Sequence, residues 1–424
     1  MEHIAPELVE RAFENARKTY AAWGVDVDAA LSRLTRIPLS LHCWQGDDVG
    51  GFENEAGLTG GGIMATGNYP GKARTGPELR ADLETALSLI PGKHRVNLHA
   101  SYAETGGKPV SRDALEPRHF EGWMSWAKQH GLGLDFNETY FSHPLAATGF
   151  TLSSPDRKVR DFWVAHSQRC RQIGVEMGKA TGSPCIIDLW IPDGWKDSPA
   201  DRMTPRELLK ESLDRIFQTR IDPRHARDAV EAKLFGIGSE SYVVGSHEFY
   251  LAYAVKNDLM LCLDMGHFHP TESVADKVSS VLLFSRELLL HVSRGVRWDS
   301  DHVVTLNDEV KAVAAEVGRA NAWDRVHVAT DYFDASINRV AAWVIGCRAT
   351  LKAILLSLLE PTAALKKEEA AGNLTARLAL MEEARDLPFG AIWDHHCMTS
   401  GVPVGAAWLD RVSEYERTVL SKRR

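Results

Sequence analysis

Short apolar runs alternate with helical segments eight times along this chain. Each run is rich in aliphatic residues and short, which is typical of strands that are buried on both faces. The predicted strands cover residues 37–43, 95–99, 131–136, 184–190, 229–234, 259–264, 288–291 and 325–331. A strand followed by a helix, repeated in this way, predicts an α/β fold with parallel strands.

The predicted helices cover residues 77–89, 118–130, 156–179, 204–218, 247–256, 272–288, 308–321 and 336–359. In the first of them, Arg80, Asp82 and Glu84 are expected to face outward. An open doubly wound sheet is the alternative arrangement for such an alternation. The count of eight and the placement of polar residues favour a (β/α)₈ TIM barrel instead.

The flanks of this alternation predict additional helices. We expect N-terminal helices in 1–36, the barrel in 37–360 and a C-terminal helical extension in 361–424. The terminal Lys-Arg-Arg at 422–424 is expected to be a solvated tail, and His395 with His396 to lie on an exposed helical surface. The glycine-rich stretch 45–75 is interpreted as either a lid over the active site or a disordered loop, because long loops without secondary structure are usually one or the other.

Composition excludes several classes of protein. The net charge is −8 and no dense block of Lys or Arg stands out, so binding to nucleic acid is not expected. No uninterrupted apolar stretch is expected to span a membrane, and the N-terminal residues do not resemble a secretory signal. The six cysteines are scattered without a C-x-x-C pair, which indicates free thiols and a cytoplasmic protein.

Ionisable side chains stand at or just after the ends of the apolar runs, where the active sites of barrels lie. Glu231 and Lys233 are two positions apart and are expected on one face of the fifth strand. Buried carboxylates are costly unless they are paired or bound to a cation, and one lysine cannot offset five of them. The sequence therefore predicts divalent metal, with two ions a better match than one. The candidates are His99, Glu231, Lys233, Asp264, His267, His291, Asp299, Asp301 and Asp331.

The residue types narrow the choice of metal. Oxygen ligands with some imidazole suit Mn²⁺, Mg²⁺ or Co²⁺, whereas thiolates suit Zn²⁺ or iron–sulfur clusters. Cys43 is the one cysteine expected among the strand ends. Mn²⁺ is the first choice, and Mg²⁺, Co²⁺ or Zn²⁺ remain alternatives. A single His or Asp at such a position is more often a core residue or a helix cap, so the prediction depends on the whole set.

Four segments carry a resemblance to the L-rhamnose isomerase family, and the similarity runs nearly from end to end. They are LHCWQGDD at 41–48, GHFHPTE at 266–272, RWDSDH at 297–302 and DASINR at 334–339. Gly295 is a small departure, since the family commonly has Pro there. The resemblance implies a homotetramer that interconverts L-rhamnose and L-rhamnulose.

The resemblance also implies two divalent sites in each subunit. Glu231, Asp264, His291 and Asp331 match the ligands of a structural site. His267, Asp299 and Asp301 match those of a catalytic site, with Asp264 bridging the two ions.

An aldose–ketose isomerase must move hydrogen between C1 and C2 and a proton between O1 and O2. An enediol route needs a base near the carbon, whereas a hydride shift needs Lewis acids on both oxygens. Two ions with a lysine favour the hydride shift. We expect Asp331 with a water to move the hydroxyl proton, Lys233 to donate to O1 and His99 to assist ring opening. The apolar walls for the sugar are expected from Trp44, Phe136 and Trp190.

Other functions remain possible from the residues alone. A different metal-dependent sugar isomerase or epimerase is one alternative. A metal-dependent phosphoesterase acting on DNA is another, although the acidic charge counts against it. A non-catalytic sugar-binding barrel would not need the charged strand ends.

Overall fold

Eight parallel strands close into a barrel in the computed structural model of this chain. The structure describes residues 4–53, 67–236 and 238–423. Each barrel strand pairs with its neighbours in chain order, and the last strand pairs with the first. The predicted (β/α)₈ barrel is confirmed, and the open doubly wound sheet is excluded.

The barrel strands are β1 (Leu39–His42), β2 (His94–His99), β3 (Gly133–Asn137), β4 (Cys185–Leu189), β5 (Ala226–Glu231), β6 (Met260–Asp264), β7 (Leu288–Val292) and β8 (Val326–Thr330). The α-helices of the described residues are α1 (Pro6–Ala22), α2 (Val27–Leu34), α3 (Gly76–Leu87), α4 (Glu121–Gln129), α5 (Arg157–Thr181), α6 (Met203–Ile216), α7 (His247–Asn257), α8 (Ala275–Leu282), α9 (Asp308–Arg319), α10 (Arg339–Leu358), α11 (Thr362–Ala370), α12 (Leu374–Glu383), α13 (Phe389–Thr399) and α14 (Trp408–Thr418). A short antiparallel ribbon, formed by Gly194–Trp195 and Tyr242–Val243, lies outside the barrel.

Every predicted apolar run overlaps a barrel strand, but the fifth strand begins three residues before the predicted run. The strand β5 ends at Glu231, so Lys233 follows the strand and does not belong to it. The start of β5 was not predicted, because it contains polar residues. Asp228 in β5 forms a buried ion pair with Arg171 of α5 at 2.9 Å, which lets a charged residue occupy a strand.

The helix α10 follows β8 and is mostly buried. In the described part of the chain it is the one helix long and apolar enough to cross a membrane, and 83% of its most apolar 18 residues are buried inside the structure. Arg348 and Lys352 interrupt this apolar sequence, so α10 does not contradict the expectation of no uninterrupted membrane-spanning stretch. The burial identifies α10 as a core helix of the fold.

The C-terminal helices pack back onto the barrel. The side chain of His395 stacks on Phe13 of α1 with ring centroids 3.6 Å apart, and His396 is buried. These two histidines do not form an exposed surface, because α13 packs against α1.

Arg423 ends this packing with a buried ion pair. Its guanidinium donates to both carboxylate oxygens of Asp82 in α3, at 2.6 and 2.8 Å, and only 6% of its side chain is exposed. Tyr415 donates to the same carboxylate at 2.6 Å. The predictions of an outward Asp82 and of a solvated tail at Arg423 are therefore wrong, since each residue buries the other.

We expect Arg423→Ala to lower the melting temperature, because removing one partner of a buried ion pair costs about 3–5 kcal/mol. Thermal unfolding measures it. Arg417→Ala is the matched control, since Arg417 and Glu414 form an exposed pair at 3.7 Å and should contribute about 0–1 kcal/mol. Equal melting temperatures for the two variants would show that the Arg423 pair contributes nothing.

Candidate active site

Three carboxylates and an imidazole converge at the carboxyl ends of four strands. Ligand atoms of Glu231, Asp264, His291 and Asp331 all lie within 4.8 Å of one another. The strand register brings them together, because Asp264 pairs directly with His291 across β6 and β7. Nδ1 of His291 lies 3.5 Å from Glu231 Oε1 and 3.4 Å from Asp331 Oδ2.

Several polar atoms of this cluster point at one another without a hydrogen bond. Among the described residues, Oε1 of Glu231, Oδ2 of Asp264 and both ring nitrogens of His291 have no hydrogen-bond partner although they are buried. Buried polar atoms are nearly always satisfied in folded proteins. Their shared direction and their chemistry fit a bound divalent cation that accepts oxygen and nitrogen ligands.

The pKa shifts of this cluster indicate an excess of negative charge. Burial raises the pKa of Asp264 to about 7, against the attraction of His267. Burial also opposes the protonation of His291, yet Cys262 and Glu231 around it hold the pKa of that imidazole well above its usual range. The cluster therefore needs positive charge, which a divalent cation supplies.

His267 and Asp299 extend the cluster toward the cavity. Nδ1 of His267 lies 3.0 Å from Glu231 Oε1, and its Nε2 lies 3.2 Å from Asp299 Oδ2. Gly266 permits this approach, since a Cβ at that position would lie 3.1 Å from carboxylate oxygens of both Asp264 and Asp299. The second predicted set of ligands thus borders the first.

Asp301, the third residue of the second predicted set, has an unusual backbone. Its φ is 43°, a left-handed conformation that is uncommon outside glycine. The carbonyl oxygen of Asp301 accepts a hydrogen bond from Phe333 N at 3.1 Å, just beyond β8. Burial, together with Asp299, raises the pKa of the Asp301 carboxyl well above its usual range.

A cavity of about 70 Å³ lies above the cluster, lined by aromatic and charged side chains. Trp44 and Trp190 both line it. The prediction for Phe136 is wrong. Phe136 packs against Phe120 with ring centroids 5.1 Å apart, because successive strand residues face opposite sides and Asn137 takes the inward position.

Lys233 and His99 both line this cavity. Nζ of Lys233 donates to the carbonyl oxygen of Pro192 at 3.4 Å and lies 5.4 Å from the centroid of the Trp190 ring. Burial lowers the pKa of Lys233, and Asp299 partly offsets this. Burial lowers the pKa of His99 to about 4, so its imidazole is neutral at pH 7.

Comparison with known proteins agrees with this geometry. The family model described as L-rhamnose isomerase (RhaA) matches residues 7–423. The L-rhamnose isomerase of Rhodopirellula baltica is 58% identical over 415 residues, covering 98% of this chain and 97% of that protein. The L-rhamnose isomerase of Yersinia pseudotuberculosis is 57% identical, covering 98% of this chain and 99% of that protein.

The chain belongs to the L-rhamnose isomerase family. That family consists of aldose–ketose isomerases.

Two solved structures are also similar to this chain. A D-psicose 3-epimerase with D-tagatose from Clostridium cellulolyticum H10 has a TM-score of 0.48 at 11% identity, covering 76% of this chain and 98% of that one. A structure of L-ribulose 3-epimerase has a TM-score of 0.48 at 12% identity, covering 78% and 97% respectively.

Two residues of this family member's site were missed by the sequence analysis. Asp188 of β4 and Cys262 of β6 have ligand atoms within 4.8 Å of those of Glu231 and His291. A buried Asp inside an apolar run was the available signal for Asp188. The sequence predicted Cys43 among the strand ends, whereas the described structure brings Cys262 to the cluster. Burial raises the pKa of the Cys262 thiol well above its usual range.

The glycine-rich stretch is described only at its two ends. Residues 54–66, the centre of the interpreted lid, lie outside the described residues. Just before the stretch, Trp44 Nε1 donates to Asp331 Oδ1 at 3.0 Å, which holds the residue preceding it against the cluster.

Adding Mn²⁺ should raise the melting temperature of the metal-free protein, and Glu231→Ala should remove most of that rise. The physical reason is that the cation binds the folded state and loses one of its ligands in the variant. Thermal unfolding with and without Mn²⁺ measures both values. Glu272→Ala is the control, because Glu272 is a half-exposed carboxylate paired with Lys277 at 2.7 Å. An equal rise in Glu231→Ala and Glu272→Ala would rule out Glu231 as a ligand.

Proposed function

We propose that this chain interconverts L-rhamnose and L-rhamnulose with the help of divalent metal. The observation that carries the proposal is the set of unpartnered carboxylate and imidazole atoms that converge below a cavity containing Lys233. Membership of the L-rhamnose isomerase family supports the choice of substrate.

Two divalent ions are proposed for each subunit. Mn²⁺ is the first choice, and Mg²⁺, Co²⁺ or Zn²⁺ are alternatives. When bound, the ions act as Lewis acids on the sugar oxygens. Glu231, Asp264, His291 and Asp331 would hold one ion, and His267, Asp299 and Asp301 with Asp264 would hold the other.

Lys233 is proposed to donate a hydrogen bond to O1 of the sugar and to stabilise the negative charge that develops there. Its position supports this role, because Nζ is held between the Pro192 carbonyl and the face of Trp190 inside the cavity. A buried, constrained ammonium group loses little entropy when the substrate arrives.

Asp331 is proposed to move the hydroxyl proton between O2 and O1 through a water molecule. The Trp44 indole donates to one of its oxygens at 3.0 Å, which leaves the other oxygen, 3.4 Å from His291, oriented toward the cluster. The neutral His99 is proposed to assist ring opening. The Nδ1 of His99 lies 3.2 Å from the Thr139 hydroxyl, which fixes the orientation of the ring.

Trp44, Trp190 and Phe141, which all line the cavity, are proposed as apolar walls for the sugar. We further propose that the protein is a cytoplasmic homotetramer. Light scattering after size exclusion gives the mass of the assembly.

The hydrogen is proposed to move from C2 to C1 as a hydride. In this arrangement the carboxylates that line the cavity are occupied as ligands, and Asp188 does not line the cavity, so none is left there to abstract a carbon-bound proton. The isomerisation is run on L-rhamnose in D₂O, and deuterium at C1 of L-rhamnulose is measured by NMR in a single turnover.

We expect little or no deuterium at C1, because the hydrogen never leaves the substrate in a hydride shift. Substantial incorporation would contradict the shift and make Asp331 with its water the base. Absence of any ketose from L-rhamnose with Mn²⁺ present would contradict the proposed function itself.

A further inference from the structure

Two successive residues with left-handed backbone, Asp48 and Val49, lie beside the cavity, and the second of them lines it. The φ angles are 59° for Asp48 and 60° for Val49. A β-branched residue with positive φ is a genuine outlier. Val49 is buried and lines the cavity together with Trp44 and Lys233. Such a conformation persists only where the surrounding structure holds it in place.

The guanidinium of Arg339 contacts this segment directly. Its Nε and Nη2 donate to the two carboxylate oxygens of Asp48 at 2.9 and 2.7 Å. Its Nη1 donates to the carbonyl oxygens of Tyr69 and Pro70. Only 4% of the Arg339 side chain is exposed. One buried side chain therefore joins Asp48 to a stretch of backbone well beyond it in sequence.

Helix stability does not explain an arginine at this position. Arg339 is the first residue of α10, where the helix dipole favours acidic side chains and disfavours basic ones. Asn338 already caps the helix by accepting a hydrogen bond from Ala341 N at 3.0 Å. The contacts of Arg339 outside the helix are therefore the reason for its placement.

The C-terminal extension supports the same group of residues. Glu416 of α14 accepts hydrogen bonds from the Tyr69 hydroxyl at 3.0 Å and from Asn338 Nδ2 at 2.7 Å. Since Asn338 precedes Arg339 and Tyr69 contacts it, Glu416 restrains both sides of the Arg339 contact. The wall of the cavity is thus connected to the last helices of the chain.

We propose that Arg339 is a positioning residue for the substrate cavity, which acts through Asp48 to hold Val49 against the bound sugar. The inference rests on the proposed isomerase function. Arg339 contacts neither the proposed metal ligands nor the proposed site of O1, so it affects substrate binding and not the chemical step.

Two variants test this role by the separation of KM from kcat. We expect Arg339→Met and Asp48→Asn to raise KM for L-rhamnose by about ten-fold, with kcat changed by no more than about two-fold. Asp48→Asn keeps the shape of the side chain and removes its charge, so it decides the question if Arg339→Met fails to fold. The double variant should resemble the more impaired single variant, because both changes break one interaction.

Arg348→Met is the matched control on the same helix. Arg348 is also buried and donates to the carbonyl oxygens of Leu89 at 3.1 Å and Pro403 at 3.2 Å, away from the cavity. It should lower the melting temperature without changing KM. An unchanged KM in Asp48→Asn, or fully additive effects in the double variant, would overturn the role of Arg339. Wild-type protein that does not isomerise L-rhamnose would instead overturn the proposed function on which the role rests.

Discussion

The mutual repulsion of buried carboxylates is the constraint on which the rest of this site depends. Glu231, Asp264 and Asp331 meet around His291 at the end of an apolar barrel, with ligand atoms within 4.8 Å of each other. Such an arrangement is unfavourable unless a cation compensates it. The carboxylate oxygens without a hydrogen-bond partner and the raised pKa of Asp264 are both consequences of this crowding of buried carboxylates.

The strands and the loops that follow them hold the side chains around this cluster in place. The parallel strands fix the ligands by register, whereas loops after the strands bring Trp44 and Lys233 over them. The first of these loops is restrained by Asp331 at one point and by Arg339 at another. Glu416 of the C-terminal helices accepts a hydrogen bond from the same loop, which connects the extension to the cavity.

Much of the fold could be predicted from the sequence, because apolar runs and helical periodicity are local properties. The displaced β5 shows where prediction from local sequence fails. Asp228 looks like a loop residue until its partner Arg171 is known, and that partner lies in another element. Asp82 and Arg423 were misjudged for the same reason, since each is buried only because the other is present.

The site could be predicted to a similar extent. Ionisable residues at strand ends predict the candidate ligands, because the barrel brings those ends together. The walls were less predictable. Successive residues of a strand face opposite sides, so an error of one position in the predicted register decides whether Phe136 or Asn137 faces the cavity. Contacts such as Arg339 with Asp48 join distant positions and leave no local pattern in the sequence.

The most direct measurement is the metal content of the purified protein beside its activity on L-rhamnose. The protein is treated with a chelator, dialysed, and restored with Mn²⁺ in steps, with metal counted by mass spectrometry at each step. The account predicts that ketose formation falls to background in the metal-free protein and returns as the sites fill. Full activity in protein free of divalent metal would contradict it.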